Sequence, residues 1–290
     1  MNKLKLLFGL LGLLFSSLIY GQIELKVYQF YNSQGKQLSY ADAVDQLAIG
    51  DIALLGELHD HAMVHWIQKR IIADLHAKRQ LVLGGEFFER DNQIIIDEYL
   101  KGIVNDKRFE EEARLWPNYV TDYKSILQFA RDSGLYFVAT NVPRRYAAFV
   151  AQHGLDTLES LPASSRVYLP KLPIAFSLET PGYSDMLDMM GGHGMSGKAT
   201  YFVQAQALKD AAMAEAIVQN WTKKQLFVHI NGDFHSANYG GIYSYIKILN
   251  PKLNVQTLKV YSEKEFVFRN EWAGSGDIIL IVPEDFTRTH

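Results

Sequence analysis

The chain has no cysteine in its 290 residues. That absence excludes a disulfide framework, a thiolate metal site and a lipid-modified N-terminal cysteine. There is also no basic block and no basic stripe interleaved with aromatics. With 29 basic against 32 acidic side chains and a net charge of −3, nothing marks the chain as a nucleic-acid binder. A serine nucleophile elbow, a Walker loop, a GxGxxG fingerprint and a zinc-type CxxC are all missing, which argues against nucleotide chemistry and serine hydrolysis. No internal repeat or low-complexity tract is present. The apolar run Leu6–Leu14 is too short for a comfortable membrane span.

What is there begins with that run. Lys3 and Lys5 precede it, and Ser16, Ser17 and Gly21 follow it. This is the order of a secretory signal peptide. The expectation is an exported protein, periplasmic or secreted, with residues 1–21 removed before Gln22. Because no clean Ala-x-Ala precedes that position, an uncleaved anchor holding the protein at the membrane is the alternative. The remainder, 22–290, is 48% apolar by the whole-chain composition. It reads as one domain with a lid insertion at about 160–200.

Short apolar, β-rich runs alternate with helical patterns. Ile52–Leu55, Leu81–Leu83, Tyr136–Ala139 and Leu226–Ile230 read as parallel strands buried on both faces. The fold class predicted is α/β, with a central, mostly parallel sheet flanked by helices. Helices are expected over 60–78, where Asp60 can cap the start, around 40–47, within 91–133, and over 201–221. Val255–Tyr261, Glu265–Arg269 and Asp277–Val282 read as later strands, some antiparallel at an edge. Between Leu161 and Lys198 the character changes. Pro162, Pro170, Pro173 and Pro181, several glycines, and Met186, Met189, Met190 and Met195 suit either an adaptable lid or a helical subdomain filled by methionine.

Each of the four runs ends in useful chemistry. Gly56-Glu57-Leu58-His59, Gly84-Gly85-Glu86, Thr140-Asn141 and Asn231-Gly232-Asp233-Phe234-His235 follow them in turn. In an open parallel sheet the C-terminal strand ends share one edge, where ligands bind. Glu57, His59, Glu86, Asn141 and His235 are therefore expected to converge, with Gly56 and Gly232 permitting tight turns. Two carboxylates brought together demand a cation, a proton or a basic neighbour; Arg90, Arg144 and Arg145 are candidates, Arg145 reading as surface charge. His61 and His65 share a helix face, expected to be polar and partly exposed. Gln206, Asp210 and Met213 share another.

Taken together, these motifs resemble the ChaN-like haem-binding proteins of bacterial iron uptake. The resemblance rests on Gly56-Glu57-x-His59-Asp60, Gly85-Glu86 followed by Gln93, and Ala139-x-Asn141-Val142-Pro143-Arg144. It continues through His193-Gly194-Met195, Gln206-x-x-x-Asp210-x-x-Met213-Ala214, and Gly232-x-x-His235 with Gly241-Ile242. It covers nearly the whole mature chain. It implies a central parallel sheet with a helical lid, export and haem binding. One departure is the missing lipidation cysteine. The fold is akin to a wider group with erythromycin-esterase-like and Tiki/TraB-like members, in which strand-end glutamates and histidines are associated with hydrolysis, some with metal.

Two functions follow from the resemblance. The first is an exported haem-binding protein in haem and iron acquisition, handing haem to an outer-membrane uptake receptor and sharing it across a homodimer. Its haem candidates are His193, Tyr183, Tyr201 and Met195, with Met186 and Met190 lining the slot. The second is a metal-dependent hydrolase. There Glu57, His59, Glu86 and His235 hold a divalent metal, with Asn141 beside them and Arg144 orienting an anionic substrate. Lid and strand edge are expected to be separate surfaces.

Overall fold

A computed structural model describes residues 26–189 and 198–289. The candidate signal peptide and His193, Met190 and Met195 lie outside the described residues. The core is an eight-stranded sheet of order β2-β1-β8-β7-β3-β6-β4-β5. Its strands are β1 (Gln29–Asn32), β2 (Gln37–Leu38), β3 (Ile52–Glu57), β4 (Leu81–Glu89), β5 (Tyr136–Asn141), β6 (Leu226–Gly232), β7 (Val255–Glu263) and β8 (Ile278–Pro283). From β8 to β5 every pairing is parallel, while β1 runs antiparallel to both β8 and β2. The antiparallel edge therefore comes from the N-terminal segment. Glu265–Arg269 is not a strand; Phe266 and Phe268 leave the sheet to pack against Tyr31 and Trp272.

Side-chain alternation sorts the strands onto two faces. Ala53 and Leu55 point into one apolar layer, with Val228, Ile230 and Leu258. Helices α1 (Tyr40–Ala48), α2 (Ala62–His76), α3 (Gln93–Leu100), α4 (Asp106–Glu112) and α5 (Lys124–Asp132) cover it. Ile52, Leu54, Val82 and Phe227 point the other way. There they meet α9 (Lys198–Asn220) and α10 (Gly241–Leu249), with α6 (Arg144–His153) packed on α9. The result is a three-layer α/β/α fold. Among the described residues no helix is long and apolar enough to cross a membrane.

The insertion after α6 carries the short helices α7 (Ala163–Arg166) and α8 (Tyr183–Met189). Leu169, Leu172 and Ile174 pack on α6 and α9, while Phe176, Tyr183, Met186 and Leu187 join the second layer. α2 starts later than expected: its N-cap is His61, and Asp60 pairs instead with Arg288.

One topological detail positions everything below. The chain runs β3 to β4 through α2, but β6 is inserted between those two strands. Glu57 stands level with Gly232, and Gly85 with Ile230. The end of β6 thus lies between Glu57, which ends β3, and Glu86, which lies within β4, and a residue without a side chain occupies that place.

Candidate functional site

Glu57, His59, Glu86 and His235 converge at this edge. His59 Nδ1 lies 2.9 Å from Glu57 Oε1, which also accepts a 2.6 Å hydrogen bond from the Tyr123 hydroxyl. Glu86 Oε2 accepts from the Gly232 N–H at 2.7 Å, and its Oε1 lies 3.0 Å from His235 Nε2. His235 Nδ1 reaches Asp210 Oδ1 at 2.5 Å, and the Tyr183 hydroxyl donates to Asp210 Oδ2 at 2.7 Å.

Glycine serves space here, not turning. Gly232 has φ −50°, which any residue adopts. A Cβ there would stand 2.6 Å from His59 Nε2 and 3.3 Å from Glu86 Oε2. A Cβ on Gly56, still inside β3, would meet the Leu258 carbonyl at 2.5 Å. The expected tight turns are therefore close approaches.

The two histidines have opposite chemistry. His235 faces a carboxylate on each ring nitrogen, so both nitrogens donate and the ring is a cation. Burial opposes that charge, but Glu86 and Asp210 outweigh it and lift the pKa to about 10. Gln206 Nε2 lies 2.9 Å from Nδ1; a doubly protonated ring offers it no acceptor, so an amide turned to present its oxygen is the arrangement that suits the imidazolium. This imidazolium balances Glu86, holding it well below the usual carboxylate range despite burial. Two of the three expected arginines are engaged elsewhere: Arg90 bonds to Glu215 and the Leu169 carbonyl, and Arg145 pairs with Asp91, while Arg144 lines the same edge without forming an ion pair among the described residues.

His59 is 40% exposed against 1% for Glu57. Its Nδ1–H donates to Glu57, and Nε2 has no partner among the described residues, so that nitrogen offers a lone pair once the ring has given up its second proton. Burial lowers its pKa, but the Glu57 hydrogen bond and the Glu86 charge raise it further. Burial pushes Glu57 up, yet His59 and His65 hold it at about 2. His65 is the hidden partner. Its Nε2–H donates to the His59 carbonyl at 3.1 Å, and its Nδ1 lies 3.4 Å from Glu57 Oε2. A neutral ring would set a lone pair against that oxygen, so its pKa rises.

His61 and His65 are buried, not on a partly exposed face. His61 stacks on Phe286 and reaches the Pro283 carbonyl. Behind His65, Asp122 accepts from Asn118 and Thr289. Below the edge, His229 lies 2.8 Å from Thr140 Oγ1 and 3.1 Å from Asn231 Oδ1. Burial lowers its pKa to about 4. The neutral ring sits between Asn231 and Thr140, whose hydroxyl also lies 3.0 Å from the Gly85 carbonyl, and these contacts fix the floor of β6.

Two spaces open from the edge. A cleft of about 860 Å³ is lined by His59, Glu86, Lys209, Phe234, Lys259 and Tyr261 among others, and by Met186 of the insertion. Strand edge and insertion therefore share one cleft, contrary to the expectation of separate surfaces. An annex of about 260 Å³ lies beside it, bounded by His59, Glu86, Glu89, Trp116, Asn141 and Arg144, with Lys209 in both walls. Tyr183, fully engaged by Asp210, is buried behind the cleft, and Tyr201 packs on Gly154 at the far end of α6.

The metal reading does not fit. Among the described residues no group of three or more His, Asp or Glu is arranged to hold a metal ion. Both nitrogens of His235 and both oxygens of Glu86 are already used on each other and on Asp210 and Gly232. Sequence reasoning missed Tyr123, Trp116, Lys209 and Lys259. Lys209 had a signal, being next to Asp210 on the site-facing helix; Tyr123 sits in a π turn with no motif.

Fold and site define an α/β protein with an open cleft of carboxylates and imidazoles at the C-terminal edge of its sheet. A family model described as haem-binding uptake, Tiki superfamily, ChaN matches residues 43–246, and the chain belongs to that family. Among solved structures it is similar to Campylobacter jejuni ChaN, described as binding haem cofacially. The identity is 17% and the TM-score 0.67, covering 89% of this chain and 98% of that one. At that identity the likeness shows the fold. A succinoglycan biosynthesis protein (11% identity, TM-score 0.49, 83% of this chain and 90% of that one) is more distant. So is an erythromycin esterase in its open conformation (12%, TM-score 0.45, 81% and 77%). No curated protein sequence matches the chain.

Proposed function

We propose that this chain binds haem in the strand-edge cleft and carries it outside the cytoplasm toward an outer-membrane uptake receptor. The observation that carries the reading is the free Nε2 of His59, in a cleft sized for a cofactor and in a chain of a haem-binding family. A volume of about 860 Å³ falls in the range of cofactor sites. Leu58, Met186, Phe234, Val260 and Tyr261 give apolar wall, and Lys209 and Arg288 give cations for carboxylates.

Haem iron, when bound, would supply a Lewis-acidic centre that accepts a lone pair. His59 offers one, and Glu57 on its other nitrogen orients the ring and raises its basicity, as a carboxylate does behind a metal-bound histidine. His193 is a further candidate from outside the described residues. A homodimer belongs to the reading, since an open cleft leaves one face of a flat ligand for a second copy. Addition of hemin to the apoprotein should give a saturable Soret band distinct from that of free hemin. A spectrum of free hemin alone abandons the reading.

One observation favours a second reading, a hydrolase without metal. A half-exposed imidazole with a free Nε2 and a buried carboxylate on Nδ1 is a general-base pair. Nε2 would take a proton from water attacking a carbonyl carbon, and Lys209 would face the developing oxyanion. No turnover across ester and peptide panels, or turnover unchanged in His59→Ala, removes it.

A further inference from the structure

His59 stands on a turn that the sheet itself does not hold. The β3–β6 ladder ends where Glu57 stands level with Gly232. The chain then turns from Leu58 to His61, whose N–H donates to the Leu58 carbonyl at 3.0 Å. A connecting turn is placed by the scaffold packed on it, so those contacts decide where the His59 ring points.

They come from two segments distant in sequence. The first is the π turn Tyr119–Tyr123 with the residue before it. Asn118 Nδ2 donates to the His59 carbonyl and to Asp122 Oδ2, both at 2.7 Å, and the His65 ring is the carbonyl's second donor. The second is the segment after β8. The Thr289 N–H donates to the Asp60 carbonyl at 2.9 Å, and Arg288 Nη1 to Asp60 Oδ1 at 3.0 Å. Arg288 also forms an antiparallel bridge with His61, whose ring stacks on Phe286.

The two segments meet at one atom. Thr289 Oγ1 donates at 2.7 Å to Asp122 Oδ2, the same oxygen that receives Asn118. Asp122 is 2% exposed, and its other oxygen has no partner among the described residues. His65 Nε2 stands farther off, at 3.8 Å. A buried carboxylate with so few donors depends on each of them. Asn118, Asp122 and Thr289 do not line the cleft, so this chain of bonds acts on a ligand only through the turn.

We propose that Thr289 is a positioning residue for His59, acting through Asp122 and Asn118 to fix the His59 carbonyl and the direction in which Nε2 faces the cleft. The assignment rests on the reading of His59 as the ligand-facing group. It makes the segment after β8 part of the site, although Arg288 alone of residues 284–289 lines the cleft. Turns with Nε2 facing elsewhere lower the apparent affinity in proportion to their population.

Carbon-13 labelling of histidine Cε1 in the full chain without hemin tests it, the His59 signal being assigned by its loss in His59→Gln. Wild type should give one narrow His59 signal. Thr289→Val, which keeps the shape and removes the hydroxyl, should split or broaden it, and Thr289→Ser should restore it. Phe286→Ala, which frees the segment at an exposed stacking contact, should act as Thr289→Val does. Tyr40→Phe loses a 2.6 Å hydrogen bond to Asp74 between α1 and α2, and should leave the signal unchanged. Hemin affinity should fall roughly twofold to tenfold in Thr289→Val and recover in Thr289→Ser. A His59 signal unchanged in both Thr289→Val and Phe286→Ala, an equal change in Tyr40→Phe, or no recovery in Thr289→Ser overturns the assignment. So does a split signal beside an unchanged hemin affinity. If wild-type protein binds no hemin, the haem reading fails, while the ring signals still decide the role of Thr289.

Discussion

His235 and His59 stand a few residues past neighbouring strands of one sheet, yet they differ in what they can still do. Every polar atom of the His235 ring has a partner: Glu86 on one side, Asp210 on the other, with Tyr183 behind Asp210. His59 uses one nitrogen on Glu57 and leaves the other facing the cleft. The saturated corner is a strut that holds Glu86 ionised and ties α9 to β6. The unsaturated corner is where a ligand can be met. Similar residue types at similar places thus divide into frame and chemistry, and the division is decided by hydrogen-bond occupancy.

The largest effect should come from breaking the saturated corner. Asp210→Ala strands a buried imidazolium and a buried phenol, and should cost about 3–5 kcal/mol in urea unfolding. Its pH dependence sharpens the contrast. His235 titrates near pH 10 in place of 6.5, so its contribution to stability is complete below pH 6.5 and is lost as pH rises through about 10. Glu57, held at about 2 in place of 4.5, works in the other direction: its contribution is complete above pH 4.5 and is lost as pH falls through about 2. Unfolding midpoints measured across pH should form a plateau with these two shoulders, and the alkaline one should vanish in His235→Gln.

Glu57→Gln should be milder, at about 1–3 kcal/mol by the same unfolding measurement, since an amide can keep only part of the Tyr123, His59 and His65 contacts. Gly232→Ala should cost about 1 kcal/mol, because the partly exposed His59 ring can give way to the new methyl group. Its hemin spectrum should nevertheless change. His59→Ala should alter stability least, by about 1 kcal/mol or less, as expected for a ring that is not in the core.

How much of this could be read in the sequence depends on where each partner lies. The four buried strands and their chemistry-bearing ends were legible, because a continuous apolar run followed by glycine and acid or imidazole is a local signal. The insertion of β6 between β3 and β4 was not, since strand order is set by packing of distant segments. That order changed the meaning of Gly232 from turn to clearance. His61 and His65 looked like a wet helix face because their cover, Phe286 and Thr289, arrives from the other end of the chain. The counter-charge to Glu86 was sought among nearby arginines, whereas burial between two carboxylates turned His235 itself into that charge. Asp210 was visible as part of a helix face, but its pairing with His235 was not.

The measurement that bears most directly on the central claim is a hemin titration of wild-type protein beside His59→Ala and His235→Gln, with absorption and electron paramagnetic resonance read together. An unengaged His59 Nε2 as the iron's partner predicts that His59→Ala changes the Soret position and spin state. His235→Gln should leave both close to wild type once folding is confirmed. Identical spectra for wild type and His59→Ala would contradict it.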